Sequence, residues 1–492
     1  MNVSNGLNKK VAVIGGGISG LSTAHRFTEI DPGISVTLFE QADKVGGLLR
    51  TRREDGFLFE WGADNFITTM PWAVNLCRRI GFEDQLVETD SRHRGAFVMR
   101  NGKLRRIPQG FIVMAPSRIW PVVVTPILSP WAKLRMASEV LVPKREEDAD
   151  ESLAAFVSRR FGRETYERLV QPLIGGIYTG DPSKLSVQAT MPRFREMEKK
   201  HGSLIRAVMR QVKDRAGSSD RDSSGGRYSM FVAPRDGVSS LIEALANRLP
   251  RGTIRLNAGV TGLKRERDGG WLVSCDSNGA DGAESERFDA VVVATPAKTA
   301  AQLVKETDDG LAENLAAIDH SGCVIVSLAY DRSRISHPMD GFGFVVPAVE
   351  NRQILSGSFS SVKYPGRAPE GKVLMRVFIG GALQPELLEL PDDRLVQIAS
   401  DELASCLGIQ GGPLKTRIAR LPCSMPQYYV GHRERVTDIR QRARAAGGLF
   451  ITGNALEGVG MPYCVHSGER TAERAAEFLE KGAKGQCQVS DR

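Results

Sequence analysis

VAVIGGGISGLSTA, Val11 to Ala24, decides the fold. A short apolar run leads into Gly15-x-Gly17-x-x-Gly20, and small and apolar residues follow at helical spacing. This pattern predicts a strand, a tight turn and a helix. The first glycine permits the turn and the second lets backbone approach a pyrophosphate. The third allows close helix–strand packing, so that phosphates meet the helix N-terminus and its partial positive charge. VTLFE, Val36 to Glu40, reads as the second parallel strand. It ends in a carboxylate about 20 residues past the glycines, the place from which an acid bonds a ribose hydroxyl pair. A lone GxGxxG is weak evidence. The strand before it, the helix after it and the acid at its distance favour a dinucleotide site over a plain glycine-rich turn, and a Rossmann-type α/β domain around it.

Outward from this unit come Gly46-Gly47-Leu48-Leu49-Arg50 and GFLFEWGADNF, Gly56 to Phe66. A strand ending in a glycine-rich turn would bring backbone back to the cofactor; the alternative is a plain hairpin. Residues 70–89 read as a helix and a turn. Phe111 to Trp131 is mostly apolar but is interrupted by Pro116, Pro121, Pro126 and Pro130, which argues against one spanning helix. Trp120 and Trp131, followed by Lys133 and Arg135, resemble an interfacial anchor; a lid or the wall of an apolar pocket is the alternative. The charged run from Lys144 to Ser152 enters an amphipathic helix with Asp150 or Ser152 as N-cap. Residues 214–227 read as a mobile polar loop. Residues 253–260, 270–275 and 288–296 read as three strands, the last returning to the cofactor sheet, and 320–330, 342–347, 352–361 and 372–380 as strands of a separate sheet. Leu449 to Thr452 reads as a strand that meets a glycine turn before a helix beginning near Met461.

At 492 residues the chain exceeds one simple core, so two or three lobes are expected. The division predicted is a discontinuous cofactor domain (1–75, 232–300 and 415–482), a helical lid or membrane-contact domain (76–210), and a sheet-based substrate domain (301–414 with part of 195–231). The net charge of +8 is spread along the chain with no basic arm, which argues against a nucleic-acid partner. Seven cysteines without CxxC spacing argue against a disulfide framework and a zinc site, and point to a reducing compartment. The polar MNVSNGLNKK start shows no signal peptide, so a cytoplasmic protein is expected, peripheral at the inner face of the membrane if the Trp120–Trp131 stretch is an anchor. The seven histidines lack metal-ligand spacing, and no metal or acid–base residue is predicted.

A helix start at Val459-Gly460-Met461 would offer backbone N–H groups to an anionic acceptor, as the N1/O2 edge of a reduced isoalloxazine requires. A dinucleotide motif at one end of the chain and this second helix start at the other suggest FAD. Val11 to Gly47, with its GG six residues after the acid, resembles the FAD-containing amine oxidase and desaturase superfamily. PLIGGIYTGDPSKLSVQATMPRF (172–194), YPGRAPEGKVLMRVFIGG (364–381) and GNALEGVGMPYCVHSG (453–468) resemble the oxygen-dependent protoporphyrinogen/coproporphyrinogen oxidase family within it.

The resemblance implies FAD contacts at Gly15, Gly16, Gly17, Ile18, Ser19, Gly20, Glu40, Gln41, Gly47, Leu48, Gly62, Ala63, Asp64 and Asn65. It puts Val260 by the adenine side and Val459, Gly460 and Met461 by the isoalloxazine, and it implies substrate contacts at Gly176, Val345 and Phe378. Members of eukaryotic type carry a propionate-pairing arginine where this chain has Ala96; either Arg94, two residues away, substitutes as the substrate contact through a small local shift, or propionate recognition differs, and members lacking the arginine include ones acting on coproporphyrinogen III. The implied reaction is six-electron oxidation of protoporphyrinogen IX in haem synthesis, with coproporphyrinogen III as the alternative. Meso hydride passes to flavin, pyrrole N–H loses a proton, and O2 reoxidises the flavin to give H2O2 in each of three rounds. The next enzyme of haem synthesis is an implied partner. A flavin oxidase of an amine or a carotenoid precursor, and a non-catalytic porphyrin-binding flavoprotein, are the competing readings.

Overall fold

The computed structural model describes residues 9–487 apart from 94, 113, 119, 217–230, 268 and 278–283. The loop expected at 214–227 and the candidate Arg94 therefore lie largely or wholly outside the described residues. At the centre stands a five-stranded sheet in the order Ile254–Arg255, Ser35–Phe39, Lys10–Ile14, Ala290–Val293, Leu449–Ile451. All its pairings are parallel. Val11 and Val13 point into one core, among helices Ile18–Ile30, Val238–Ala246 and Met461–Cys487. Ala12 and Ile14 point into another, beneath a three-stranded antiparallel sheet and helices Ala297–Val304 and His432–Ala445. A strand buried on both faces reads as an unbroken apolar run, which is why this sheet shows so plainly in the sequence.

Helices Ile18–Ile30 and Met461–Cys487 pack closely. A Cβ on Gly468 would fall 2.4 Å from the Ser19 carbonyl oxygen, and Thr23 Oγ1 donates to the Gly468 carbonyl at 3.1 Å. A Cβ on Gly20 would fall 1.9 Å from the Gly15 oxygen, so the helix and its entering strand admit no larger residue there. The first of these close approaches packs the helix that follows the first strand against the long helix starting at Met461.

A second, seven-stranded sheet runs in the order Lys415–Pro426, His320–Asp331, Lys372–Gly380, Ser356–Ser358, Gly343–Val345, Phe97–Arg100, Lys103–Arg106. One face packs on helix Asp392–Leu407; Val98 and Val345 on the other meet a helical lobe drawn from 111–208. Two segments lie elsewhere than the sequence division has them: 97–106 and 415–426 are strands of this sheet, not parts of the lid and cofactor domains. Two expected strands are split. Asn257, left-handed at φ 53, breaks 253–260, so Ile254–Arg255 stays in the parallel sheet while Ala258–Arg265 pairs with Trp271–Ser277. Residues 288–296 divide after Phe288, which ends an antiparallel strand, before Ala290 joins the central sheet.

Phe111 to Trp131 forms no long helix. It gives the short helix Trp120–Val124 and the start of Pro130–Ala137, the latter capped by Ser129. Among the described residues no helix is long and apolar enough to cross a membrane. Of the two caps expected for the next helix, Ser152 is the one used, its Oγ accepting from Ala155 N at 3.2 Å.

Candidate active site

One cavity of about 3490 Å³ runs along the edge of the parallel sheet and on between the second sheet and the helical lobe. Small-molecule sites occupy roughly 300–1,000 Å³, so it has room for a large cofactor and a second ligand.

Its first part is walled by glycine backbone. Gly15, Gly16, Gly17, Ile18 and Ser19 lie on the wall, as do Glu40, Gln41, Gly47 and Leu48. Gly16 N donates to Glu40 Oε2 at 2.7 Å, and Glu40 Oε1 accepts from Ala42 N at 2.9 Å. The acid thus fixes the glycine loop and its own turn besides facing the cavity, a bond the spacing alone did not show. Gly46 N donates to the Gly16 carbonyl at 2.8 Å, docking the second glycine turn on the first. A Cβ on Gly17 would meet nothing within 4 Å, because that direction opens into the cavity above the start of the helix. Such a cradle fits a pyrophosphate. Gly20 is the exception: it is absent from the wall and serves helix–strand packing instead. Val260 lies on the wall beside Ala258, at the end where Gln41 and Ala42 close the turn.

Gly62, Ala63, Asp64 and Asn65 follow the hairpin of Thr51–Glu54 with Phe57–Glu60 and line the cavity, so hairpin and return to the site are both present. Behind them is a buried ionic group. Arg376, 2 % exposed, donates to the Gly62 carbonyl and faces Asp64 at 3.5 Å, with Lys363 3.8 Å from the same carboxylate. Those cations hold the Asp64 carboxyl below its usual value against the opposing effect of burial. Glu60, accepting from Thr51 Oγ1 at 2.7 Å and Val238 N at 3.0 Å, is pushed up to about 7 by burial. Arg376 was not foreseen; a lone arginine inside the apolar strand KVLMRVFIG was its only signal.

The other glycine-led turn, 453–460, is held from behind. Tyr428 Oη donates to the Asn454 carbonyl, and His432, stacked on Tyr428 at 4.2 Å, lies 3.0 Å from the Leu456 oxygen through Nε2. Burial lowers the His432 pKa, favouring the neutral ring. Val459, Gly460 and Met461 reach the wall, and Pro462 sits in the first turn, where a missing N–H costs nothing. Trp72 stacks on His466 at 4.0 Å and meets Tyr463 edge-on, tying the new helix to helix Trp72–Arg79. Trp72, Tyr428 and His432 had no motif to announce them.

Beyond this turn the wall becomes apolar. Phe378, Ile325, Leu421 and Cys323 lie on it, with Gly176, Ile177 and Tyr178 from the helical lobe opposite. Of the three expected substrate residues, Gly176 and Phe378 are therefore on the cavity. Val345 is set back behind Gly176, whose Cβ would lie 3.6 Å from Val345 Cγ1; it is off the wall because helix Gln171–Tyr178 covers it.

A parallel sheet with a phosphate cradle at its switch edge and a second helix start facing the same cavity define a flavin-dependent oxidoreductase. The chain matches the family described as flavin containing amine oxidoreductase over residues 18–476. It is 33 % identical over 471 residues to the coproporphyrinogen III oxidase of Staphylococcus aureus, covering 95 % of this chain and 99 % of that one. It is 30 % identical over 495 residues to the chloroplastic protoporphyrinogen oxidase 1 of Arabidopsis thaliana, covering 96 % and 88 %. A crystal structure from Exiguobacterium sp. 255-15, named for protoporphyrinogen oxidase, superposes with a TM-score of 0.83 at 30 % identity, covering 96 % of this chain and 99 % of that one. The chain belongs to the flavin-containing amine oxidoreductase family, and the relatives just named are porphyrinogen oxidases. It is an FAD-dependent oxidoreductase.

Proposed function

We propose that the chain oxidises coproporphyrinogen III to coproporphyrin III, removing six electrons and six protons while three O2 become three H2O2. Protoporphyrinogen IX, the substrate preferred on sequence alone, is the second reading. The order reverses because the relative at 33 % identity is named for the four-carboxylate substrate and the side chain at 96 is alanine. The observation that carries the reading is the single cavity, in which the glycine-walled cradle continues into an apolar slot between Phe378 and the Gly176 turn.

In this reading the discontinuous unit of 1–75, 232–300 and 427–482 holds FAD, which when bound supplies the hydride acceptor and passes electrons to O2. Gly15 to Ser19 and the Gly47–Leu48 turn take the pyrophosphate, and the free lone pairs of Glu40 with Gln41 take the ribose. Val260 sits by the adenine, and Gly62 to Asn65 together with Val459 to Met461 seat the ring system. The helix start at Met461 favours negative charge at its end. Phe378 and Gly176 pack the macrocycle with Val345 behind, so that orientation and exclusion of water come from apolar contact. Phe378→Ala should keep its flavin and raise KM by about ten- to a hundredfold, for loss of a large apolar contact of about 1.5–3 kcal/mol; unchanged steady-state kinetics would remove Phe378 from the site.

The test is direct. Purified protein should be yellow, bleach when mixed anaerobically with coproporphyrinogen III, and form fluorescent porphyrin on admission of O2, faster than with protoporphyrinogen IX. A flavin that stays oxidised with every porphyrinogen, or turnover of a polyamine or phytoene instead, overturns the proposal.

The same reading places the protein in the cytoplasm, against the inner face of the membrane and near the enzyme that next uses its product. Trp120 and Trp131, 73 % and 79 % exposed, with Leu134 and Leu141 beside them, give the helical lobe an apolar surface that suits a lipid interface. The protein should float with anionic liposomes, and a Trp120→Ser/Trp131→Ser double variant should not; equal flotation of the two would dismiss the contact.

A further inference from the structure

We propose that Arg105 and Arg118 form the end of the substrate cavity that receives carboxylates, and thereby set substrate choice; this rests on the porphyrinogen reading. Both line the cavity and both are exposed to it. Among the described residues neither makes an ion pair. The other arginine and lysine side chains on that wall are all engaged. Arg106 pairs with Asp340, Lys199 with Asp148, Arg440 with Glu457 and Arg376 with Asp64, and the remainder donate to carbonyl or amide oxygens. Arg105 and Arg118 are thus the arginines of this wall whose guanidinium groups show no partner among the described residues, and guanidinium binds carboxylate in a two-pronged geometry.

Arg105 stands on the edge strand of the second sheet, in a row that ends at Phe378. Arg105 pairs with Val98, Val98 with Val345, Val345 with Ser356 and Ser356 with Phe378, forming one row across five strands. Strands stand about 4.8 Å apart, so Arg105 lies roughly 10 Å from Val345 and roughly 19 Å from Phe378 along the row. Arg106, one residue on, pairs with Phe97 on the opposite face and stacks on its ring. Ile107 N donates to the Ala96 carbonyl at 3.0 Å, which carries the pairing on to Ala96, two residues from Val98 and on the same face. Ala96, like Arg105, lines the cavity. Arg118 lines the cavity from the turn that follows Arg105 in the chain. Ser117 Oγ and N both donate to the Gly110 carbonyl at 2.7 Å, and a Cβ on Gly110 would lie 3.2 Å from Arg118 Cγ. An anionic rim at one end and an apolar body over Phe378 is the pattern of a carboxylated macrocycle.

The test uses the FAD-loaded full chain, with Arg105→Ala, Arg118→Ala, the double variant and Arg105→Lys. Each alanine variant should raise KM for coproporphyrinogen III about fivefold and the pair about thirtyfold, with kcat within twofold and flavin content unchanged. Arg105→Lys should recover most of the loss, added salt should narrow the gap, and the tetramethyl ester of the substrate should be turned over alike by wild type and variants. Wild-type KM in both alanine variants, or an equal loss on the ester, overturns the assignment while leaving the porphyrinogen reading intact. A wild-type protein inactive on every porphyrinogen overturns both.

Discussion

Gly17→Val protein is expected to fold and to purify colourless. Gly17 has φ −70 and ψ 175, an extended conformation open to any residue, and an added Cβ meets nothing within 4 Å. The fold therefore has no reason to suffer. The two methyl groups instead enter the space above the helix start where the pyrophosphate is proposed to lie, between Gly17 and the Gly47 turn. A Cβ on Gly47 would itself stand only 3.6 Å from Gly17 Cα, so the cradle cannot widen without undocking one glycine turn from the other. Loss of phosphate contact together with steric overlap should weaken FAD by at least about a thousandfold, or roughly 4 kcal/mol. Gly20→Val makes the useful contrast, because its Cβ would overlap the Gly15 oxygen and the damage should appear in folding itself. The measurements are flavin absorbance of the purified protein and its circular dichroism. A folded Gly17→Val protein with full flavin would show that the cofactor does not pass over this helix.

The contrast between Gly17 and Gly20 also marks what a sequence can disclose. The three glycines form a motif because each solves a local problem in a fixed frame of strand, turn and helix, and the frame is written in adjacent residues. The same holds at Val459 to Met461, where turn and helix start are contiguous. The parallel strands were legible because burial on both faces leaves continuous apolar runs such as Val11–Ile14 and Ala290–Val293. The seven-stranded sheet was less so. Ser356–Ser358 is three residues with no apolar alternation, and the pairing of Phe97–Arg100 with Gly343–Val345 joins segments far apart in the chain. Nothing local encodes that pairing; it exists because Phe97 and Phe344 share one core and Val98 and Val345 face the helical lobe. Residues of the cavity inherit this opacity. Arg376, Trp72 and Arg105 matter through neighbours hundreds of residues away, and Val345 was placed one layer too far forward because a helix lying over it cannot be read from its own strand.

Arg160 carries the other large effect, in the helical lobe and away from the flavin. Arg160 and Glu139 are both fully buried, and Nε donates to Glu139 Oε1 at 2.8 Å. The remaining donors of Arg160 reach the carbonyls of Val142 at 3.0 Å, Pro143 at 3.2 Å and Gly202 at 2.6 Å. Glu139 in turn accepts from Ser203 Oγ at 2.5 Å and from the N–H groups of Leu204 and Ile205 at 2.9 and 3.3 Å, where helix Leu204–Ala216 begins. Arg160 Nη1 also lies 3.5 Å from the buried Glu198 Oε1, so this ionic group joins helix Leu153–Phe161, the segment around 139–143 and the start of a third helix. Arg160→Met removes the charge that neutralises Glu139 and strands three carbonyls in the interior, so it should destabilise the lobe by about 3–5 kcal/mol, the range for breaking a buried pair from one side. Glu139→Gln keeps the acceptor for the helix start and should cost less. The double variant should cost less than the sum of the two, because the second change removes the carboxylate that the first leaves unpaired. Urea unfolding followed by hydrogen exchange of the backbone amides over 139–208 reads this lobe. Strict additivity, or a loss below about 1 kcal/mol for Arg160→Met, would mean that apolar packing of Phe156, Phe161 and Leu204 fixes the lobe and that the buried charges merely fill it.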